Sequence, residues 1–360
     1  MSHYQERLDQ DLREIRSAFD TAAALAQEQV GDAVTALLAF NRELATQVIL
    51  RDRIINRITR DMDRLCHGFV VRHLPVGHHL RYISAILRVA VALERIGDYA
   101  ATVSRHTIRC SGPPPALIAK DVELLAHQAR ACLAEALHAF RDESADRASR
   151  TLGLTYNMDS THDKASEDLI AIGERNNVPV RDLLGYAKAL SVLLRVSDQA
   201  ENIAQETVFA ATGETHNPKV YRILFVDRAN DCASLLAEAY AKKAFPEGSS
   251  FSSAGWEPAD AMRPEAIAFF EDHGFPLEGV HPKRIPELMA EPRHFHVIIG
   301  LDPESREKVG ELPYKTVLLN WDLGQSPCAA GGRERAEEMY REIASRLREL
   351  MLILRGPDAT

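Results

Sequence analysis

The chain has 360 residues, with 43 lysines and arginines against 52 aspartates and glutamates, for a formal net charge of -9 and a pI of about 5.9. That balance excludes a basic nucleic-acid footprint and argues against anionic membrane surfaces. With 46% apolar and 26% charged residues, it reads as a globular protein of two or three domains, long enough to bury its cores without staples. No apolar run is long enough to span a bilayer, and Met1 to Arg13 lacks the apolar stretch of a signal peptide. The five cysteines, Cys66, Cys110, Cys132, Cys232 and Cys328, form no CxxC pair and cannot all pair within one chain. They are expected to be reduced thiols in a cytoplasmic protein.

The first half is patterned for long amphipathic helices. Leu8, Leu12, Ile15, Phe19, Ala22, Ala26 and Val30 recur at three- and four-residue steps, which places them on one helix face. A second stripe holds Leu44, Val48, Ile55, Ile58, Met62, Leu65 and Phe69, and Pro75-Val76-Gly77 breaks it. A third helix is expected from about Leu80 to Arg109. Ser111-Gly112-Pro113-Pro114-Pro115 cannot continue a helix. Helices are then expected over Lys120 to Phe140 and Ser144 to Arg175, followed by a break at Asn176-Asn177-Val178-Pro179 and a helix through Phe209. Cys66, His67, His73, His78 and His79 gather around a helix–helix turn. Their spacing fits no zinc pattern, so a polar turn with surface imidazoles is expected.

A shift of 100 residues superposes Arg81 on Arg181, Leu93 on Leu193, Arg95 on Arg195, Asp98 on Asp198 and Ala100 on Ala200. The proline breaks coincide in the same phase. Residues from about 5 to 110 and 116 to 210 therefore read as two copies of a three-helix unit, within a helical domain placed at 1 to 212.

Glu94 and Asp98 lie four residues apart, on one helix face beside Gly97. Convergent carboxylates suit a hard or borderline cation, whereas an isolated pair of this kind is ordinarily a solvated face. The segment Leu93-Glu94-Arg95-Ile96-Gly97-Asp98-Tyr99-Ala100 resembles the signature of the PhoU family of phosphate-uptake regulators. Leu193 to Ala204 resembles its second signature, and Arg51-Asp52 with Ile55-Asn56 its earlier helix. The resemblance implies paired three-helix bundles, a cytoplasmic regulator that partners a phosphate transporter or its sensor kinase, and homodimerisation. It also implies a divalent or iron ion at Glu94 and Asp98. The second copy has Leu194 in place of the motif's first carboxylate, which leaves Asp198 with Glu201 as a weaker pair.

Beyond the polar hinge at Thr212 to Pro218 the period changes. Short apolar runs at Ile223 to Val226, Phe251 to Ala254, His296 to Ile299 and Thr316 to Leu319 read as strands. They alternate with helices at Ser234 to Lys243, Arg263 to His273 and Glu334 to Leu354. That alternation predicts a three-layer α/β domain with a parallel sheet over about 219 to 356. Val226 runs into Asp227-Arg228-Ala229-Asn230-Asp231-Cys232-Ala233-Ser234 and then a helix. A strand, loop and helix N-terminus of this kind converge backbone N–H groups on an anion. The segment resembles the phosphate loop of low-molecular-weight protein tyrosine phosphatases and arsenate reductases. Ser253 to Pro258, Arg263 to Ala266, His273-Gly274 and Asn320-Trp321-Asp322 extend the likeness.

That family's Cys-x5-Arg does not carry over. Asp227 stands at the thiolate and Ala233 at the guanidinium, while Asn230 and Ser234 remain as loop supports. Asp227 and Asp231 would face the anion pocket and weaken phosphate binding, and Asp227 is expected to cap the loop by accepting backbone N–H bonds. The reading is a regulator with a non-catalytic phosphatase-like module. The alternatives are a residual phosphatase or arsenate reductase, and a metal-sensing bundle.

Overall fold

The computed structural model describes residues 3–154, 158–175, 178–214, 220–285, 295–310, 312, 316–323 and 332–356. No helix among them is long and apolar enough to cross a membrane. Two compact units are resolved, Met1–His216 and Asn217–Thr360.

The first unit is helical. It runs α1 (His3–Leu38), α2 (Arg42–His73), α3 (His78–Arg109), α4 (Ala116–Arg141), α5 (Ala145–Leu154), α6 (Met158–Glu174) and α7 (Val180–Thr212). The first expected stripe is the buried face of α1. The turn after α1 uses neither glycine nor proline: Phe40 takes a left-handed φ of 50°. Asn41 then caps α2, its side chain accepting from Leu44 N–H at 3.0 Å. Helix α3 lies between α2 and α7 and packs on both, and α4, α5 and α6 pack on α7 in turn. One apolar core joins all of them, with Phe19, Phe69, Phe140 and Tyr186 among its largest buried side chains.

Three expectations meet the structure here. First, the helix expected over Ser144 to Arg175 is helical over α5 and α6, and residues 155–157 lie outside the described set. The break placed at Asn176-Asn177 and most of the hinge before Pro218 also lie outside it. Second, the histidine turn is not uniformly a surface. Cys66 and His73 are buried, because 62, 66, 69 and 73 form one stripe of α2 facing the core. His73 Nε2 lies 2.8 Å from Asp11 Oδ2, and its ring packs against Tyr4 and Phe69. Burial pushes the Cys66 thiol up to about 12, so it offers no thiolate. Third, Cys232 is disulfide-bonded, so the set of five reduced thiols does not hold. Cys66, Cys110 and Cys132 are free, and Cys328 lies outside the described residues.

The second unit runs β1 (Tyr221–Asp227), α8 (Ala233–Ala244), β2 (Ser249–Gly255), α9 (Pro264–His273), β3 (Val297–Gly300), α10 (Ser305–Val309), β4 (Val317–Asn320) and α11 (Gly332–Arg355). The described strands are all parallel, in the order β2-β1-β3-β4. Central β1 is buried on both faces, which is why it reads as the unbroken run Ile223-Leu224-Phe225-Val226. Ile223 and Phe225 pack under α8, α9 and α11. Leu224 and Val226 pack on the other face with Ile298, Ile285, Phe295 and Val309. The short α10 carries no periodic signal of its own and was not read from sequence.

Candidate functional site

In a sheet of this order the chain leaves β1 to one side for β2 and returns to the other for β3. The strand order therefore reverses between β1 and β3, at the carboxyl ends, where open α/β sheets bind ligands. The loop after β1 and the loop after β3 meet there: Arg228 N–H donates to Asp302 Oδ2 at 2.8 Å.

At the centre of this loop is Asp227, 6% exposed. Its Oδ1 accepts from Asn230 N–H at 2.6 Å and its Oδ2 from Ser234 N–H at 2.9 Å. Asn230 adopts a left-handed φ of 47°, a conformation Asn tolerates better than most residues. Its side-chain amide donates to Ser234 Oγ at 2.7 Å, and its Oδ1 accepts from Lys283 N–H at 2.8 Å. Gly255 closes the loop from the side. A Cβ there would stand 2.7 Å from Arg228 O and 3.0 Å from Asn230 N. Two backbone amides of the loop, those of Asn230 and Ser234, are thus engaged by a carboxylate of the same loop. Burial pushes the Asp227 carboxyl up to about 6, against the opposing hydrogen bonds from Ser234 and Asn230, and nearby Asp302 adds to the rise.

Among the described residues, no guanidinium pairs with Asp227. Position 233 is a buried alanine. Arg228 pairs with Glu257 at 2.7 Å, and Arg263 Nε donates to Asp231 Oδ2 at 2.6 Å. Asp231 was expected to face the anion pocket; its charge is instead satisfied by Arg263. Cys232 is fully buried. Glu238, six residues after it, accepts from Ser253 Oγ at 2.5 Å and pairs with Lys242 and Lys283. Trp321 packs on Phe225, and Asp322 lies close enough to Asp302 to help hold that carboxyl above its ordinary range, burial being the main cause.

In the helical unit, Glu94 and Asp98 project from α3 toward α2, where Asp52 joins them. Sequence reasoning placed Asp52 only within a signature segment; a carboxylate on the inward stripe of α2 was the signal available. Asp52 is 7% exposed, with Oδ1 unpartnered and Oδ2 accepting a long 3.4 Å bond from Asn56. Gly97 permits the approach: its Cβ would meet Ile55 Cδ1 at 3.1 Å and Asp52 Oδ1 at 3.2 Å. Burial raises the Asp52 carboxyl, the Asp98 charge adds to this, and Arg105 opposes it. Burial likewise raises Glu94, followed by Asp98 and Asp52, against Arg95.

Asp98 thus acts on both Asp52 and Glu94, yet among the described residues no group of three or more His, Cys, Asp or Glu side chains is placed to hold a metal ion. A hard cation takes six or more oxygen ligands. The described donor set does not fit the ion that the family resemblance implied. Asp198 and Glu201 lie on α7; the latter accepts from Gln205 Nε2 at 3.0 Å.

A duplicated helical bundle followed by a doubly covered parallel sheet, with a strand–loop–helix anion loop capped by its own aspartate, defines a two-part protein. The PhoU domain matches residues 19–107 and again 122–207, and the low molecular weight phosphotyrosine protein phosphatase family matches residues 222–356. The phosphate-specific transport system accessory protein PhoU homolog of Pseudomonas putida is 30% identical over 212 residues, covering 59% of this chain and 83% of the relative. The crystal structure of PhoU from Pseudomonas aeruginosa is 30% identical with a TM-score of 0.54, over 57% of this chain and 99% of that one. An arsenate reductase in the phosphate binding state aligns at 21% identity and a TM-score of 0.32, over 38% of this chain and 99% of that one. The chain belongs to the PhoU family, and carries a phosphatase-family domain behind its PhoU repeats.

Proposed function

We propose that the chain is a cytoplasmic accessory regulator of a phosphate transport system, in which the helical unit docks the transporter or its sensor kinase and the α/β unit is a non-catalytic module. The transport assignment comes from what the relatives are named for. The single observation that carries the non-catalytic half is the Asp227 carboxylate on the amides of Asn230 and Ser234. Phosphatase chemistry of this family's kind needs a thiolate nucleophile and a donor for the developing oxyanion charge. A carboxylate here occupies the oxyanion donors, and Ala233 supplies none.

The domains read from sequence, 1 to 212 and 219 to 356, and a homodimeric state belong to the same proposal. The test is a double one. Purified protein is expected to show no turnover of p-nitrophenyl phosphate above buffer and no arsenate reduction with a thiol donor. Affinity-tagged protein is expected to co-purify with transporter components from phosphate-replete cells. Turnover that disappears in Asp227→Ala would restore the enzyme reading.

A further inference from the structure

We infer that the outer faces of α2 and α6 are the two halves of a contact between copies of this chain, the basic face of one copy seated on the acidic face of the next. On α2, Arg53, Arg57, Arg60 and Arg64 are all exposed and follow one another at steps of four, three and four residues. That spacing keeps them on one side of the helix. Leu50 and Ile54, 61% and 42% exposed, lie on the same side. On α6, Asp163, Glu167, Ile170 and Glu174 repeat the same steps, and Ile170 is 62% exposed. Each stripe therefore covers about 17 Å of helix, at roughly 1.5 Å per residue.

Neither face is used within its own copy. Helix α2 packs on α1 and α3, and α6 on α4 and α7. They do so through their opposite sides, Val48, Ile55 and Met62 in the one and Met158, Ala165 and Leu169 in the other. Among the described residues, Arg53, Arg57, Glu167 and Glu174 form no ion pair. Arg60 Nε donates to the Asn56 carbonyl of its own helix at 2.8 Å, and Arg64 pairs with Asp61 at 2.7 Å. Three arginines of the stripe thus keep an unpaired charge. Asp163 lies 3.6 Å from His162, which offsets its charge only when protonated. Lys164 projects about 100° away from Asp163 around the helix.

Like charges four residues apart repel along a helix. Arg53 with Arg57, Arg60 with Arg64, and Asp163 with Glu167 are such pairs. A mixed face relieves this repulsion by alternating sign. Here the signs are segregated by helix, and the surface that relieves each stripe is one of opposite sign. Each stripe is the other's complement in sign, spacing and length, and Ile170 meets the apolar pair Leu50 and Ile54. Pairing α2 with α2 of another copy would set arginines against arginines, so a symmetric contact through this face is disfavoured. The contact is instead head to tail, which leaves an open α2 face at one end and an open α6 face at the other. Assembly therefore grows with concentration. The inference rests on the self-association part of the functional proposal, to which it gives a surface, and is independent of the transport part.

The test is analytical ultracentrifugation of the full chain at pH 7, from about 1 to 100 µM, in 50 and 500 mM NaCl. Exposed charges are screened by salt, so the apparent dissociation constant is expected to rise at least about tenfold at the higher salt. Arg53→Glu with Arg57→Glu makes both faces acidic; Glu167→Arg with Glu174→Arg makes both basic. Each double variant alone is expected to lose self-association by at least about tenfold, and an equimolar mixture of the two to recover it. Circular dichroism melts check folding, and the salt series on the unmodified chain still decides the matter if a variant does not fold. A chain that stays monomeric at 100 µM in low salt, association indifferent to salt, either variant associating as the unmodified chain does, or a folded mixture that does not recover would each overturn the contact. Phosphatidylglycerol vesicles that bind the monomeric chain, but not its Arg53→Glu, Arg57→Glu variant, would assign the basic face to a lipid surface instead. Co-purification of transporter components is read separately, so loss of this contact and loss of the transport reading are distinct results.

Discussion

Asp227 shows what one substitution does to an anion loop. Its carboxyl has an ordinary value of 3.8 and is pushed up to about 6 in the folded chain, chiefly by burial. The folded state therefore binds this proton more tightly than the unfolded state does. Stability from this group is fully present below the unfolded value and is lost as pH rises through the folded one. Across that window the loss is on the order of 3 kcal/mol, at about 1.4 kcal/mol per pKa unit. Urea denaturation of the full chain at pH 7, 6, 5 and 4, followed by a probe in the α/β unit, is expected to show a contribution that grows as pH falls. The same series in Asp227→Asn should lack it. Identical pH slopes in the two proteins would show that Asp227 is an ordinary carboxylate.

Elements are joined at close approaches. Gly255 ends β2 against the backbone of the anion loop, with Arg228 O and Asn230 N where a Cβ would go. Backbone cannot rotate away as a side chain can, so Gly255→Ala is expected to destabilise the α/β unit by about 1–3 kcal/mol, the usual cost of overpacking. A denaturant midpoint unchanged within error would mean that the loop yields. In the helical unit, Asn41 caps the N-terminus of α2. Asn41→Ala is expected to cost about 1 kcal/mol. A thermal melt reads this, and Asn41→Asp, which keeps an acceptor, should recover most of it.

For the whole molecule, the separation into Met1–His216 and Asn217–Thr360 coincides with a helical core that shares no residue with the two clusters flanking the sheet. Cores that share nothing should fold independently. Fragments 1–212 and 219–356 are each expected to give a cooperative melt and the circular dichroism of their own class, helical and mixed. Only the helical fragment is expected to capture transporter components. If neither fragment folds alone, the cores depend on each other; if only the α/β fragment captures the transporter, the functional assignment belongs to the other half.

The local patterns in the sequence determined the element types, the repeat and the absence of Cys-x5-Arg. The stripe from Leu8 to Val30, the run Ile223 to Val226, and Asp227 with Ala233 can each be read within one helix, strand or loop, because periodicity and loop spacing are properties of neighbouring residues. What depends on residues distant in the chain had to wait for tertiary structure. His73 looked like a surface imidazole until α1 brought Asp11 to it. Asp231 looked like a charge in the anion pocket until Arg263, 32 residues on, paired with it. Asp52 met Glu94 and Asp98 only through the packing of α2 on α3. In each case burial and pairing, set by which elements touch, decided the chemistry of a side chain whose identity was already known.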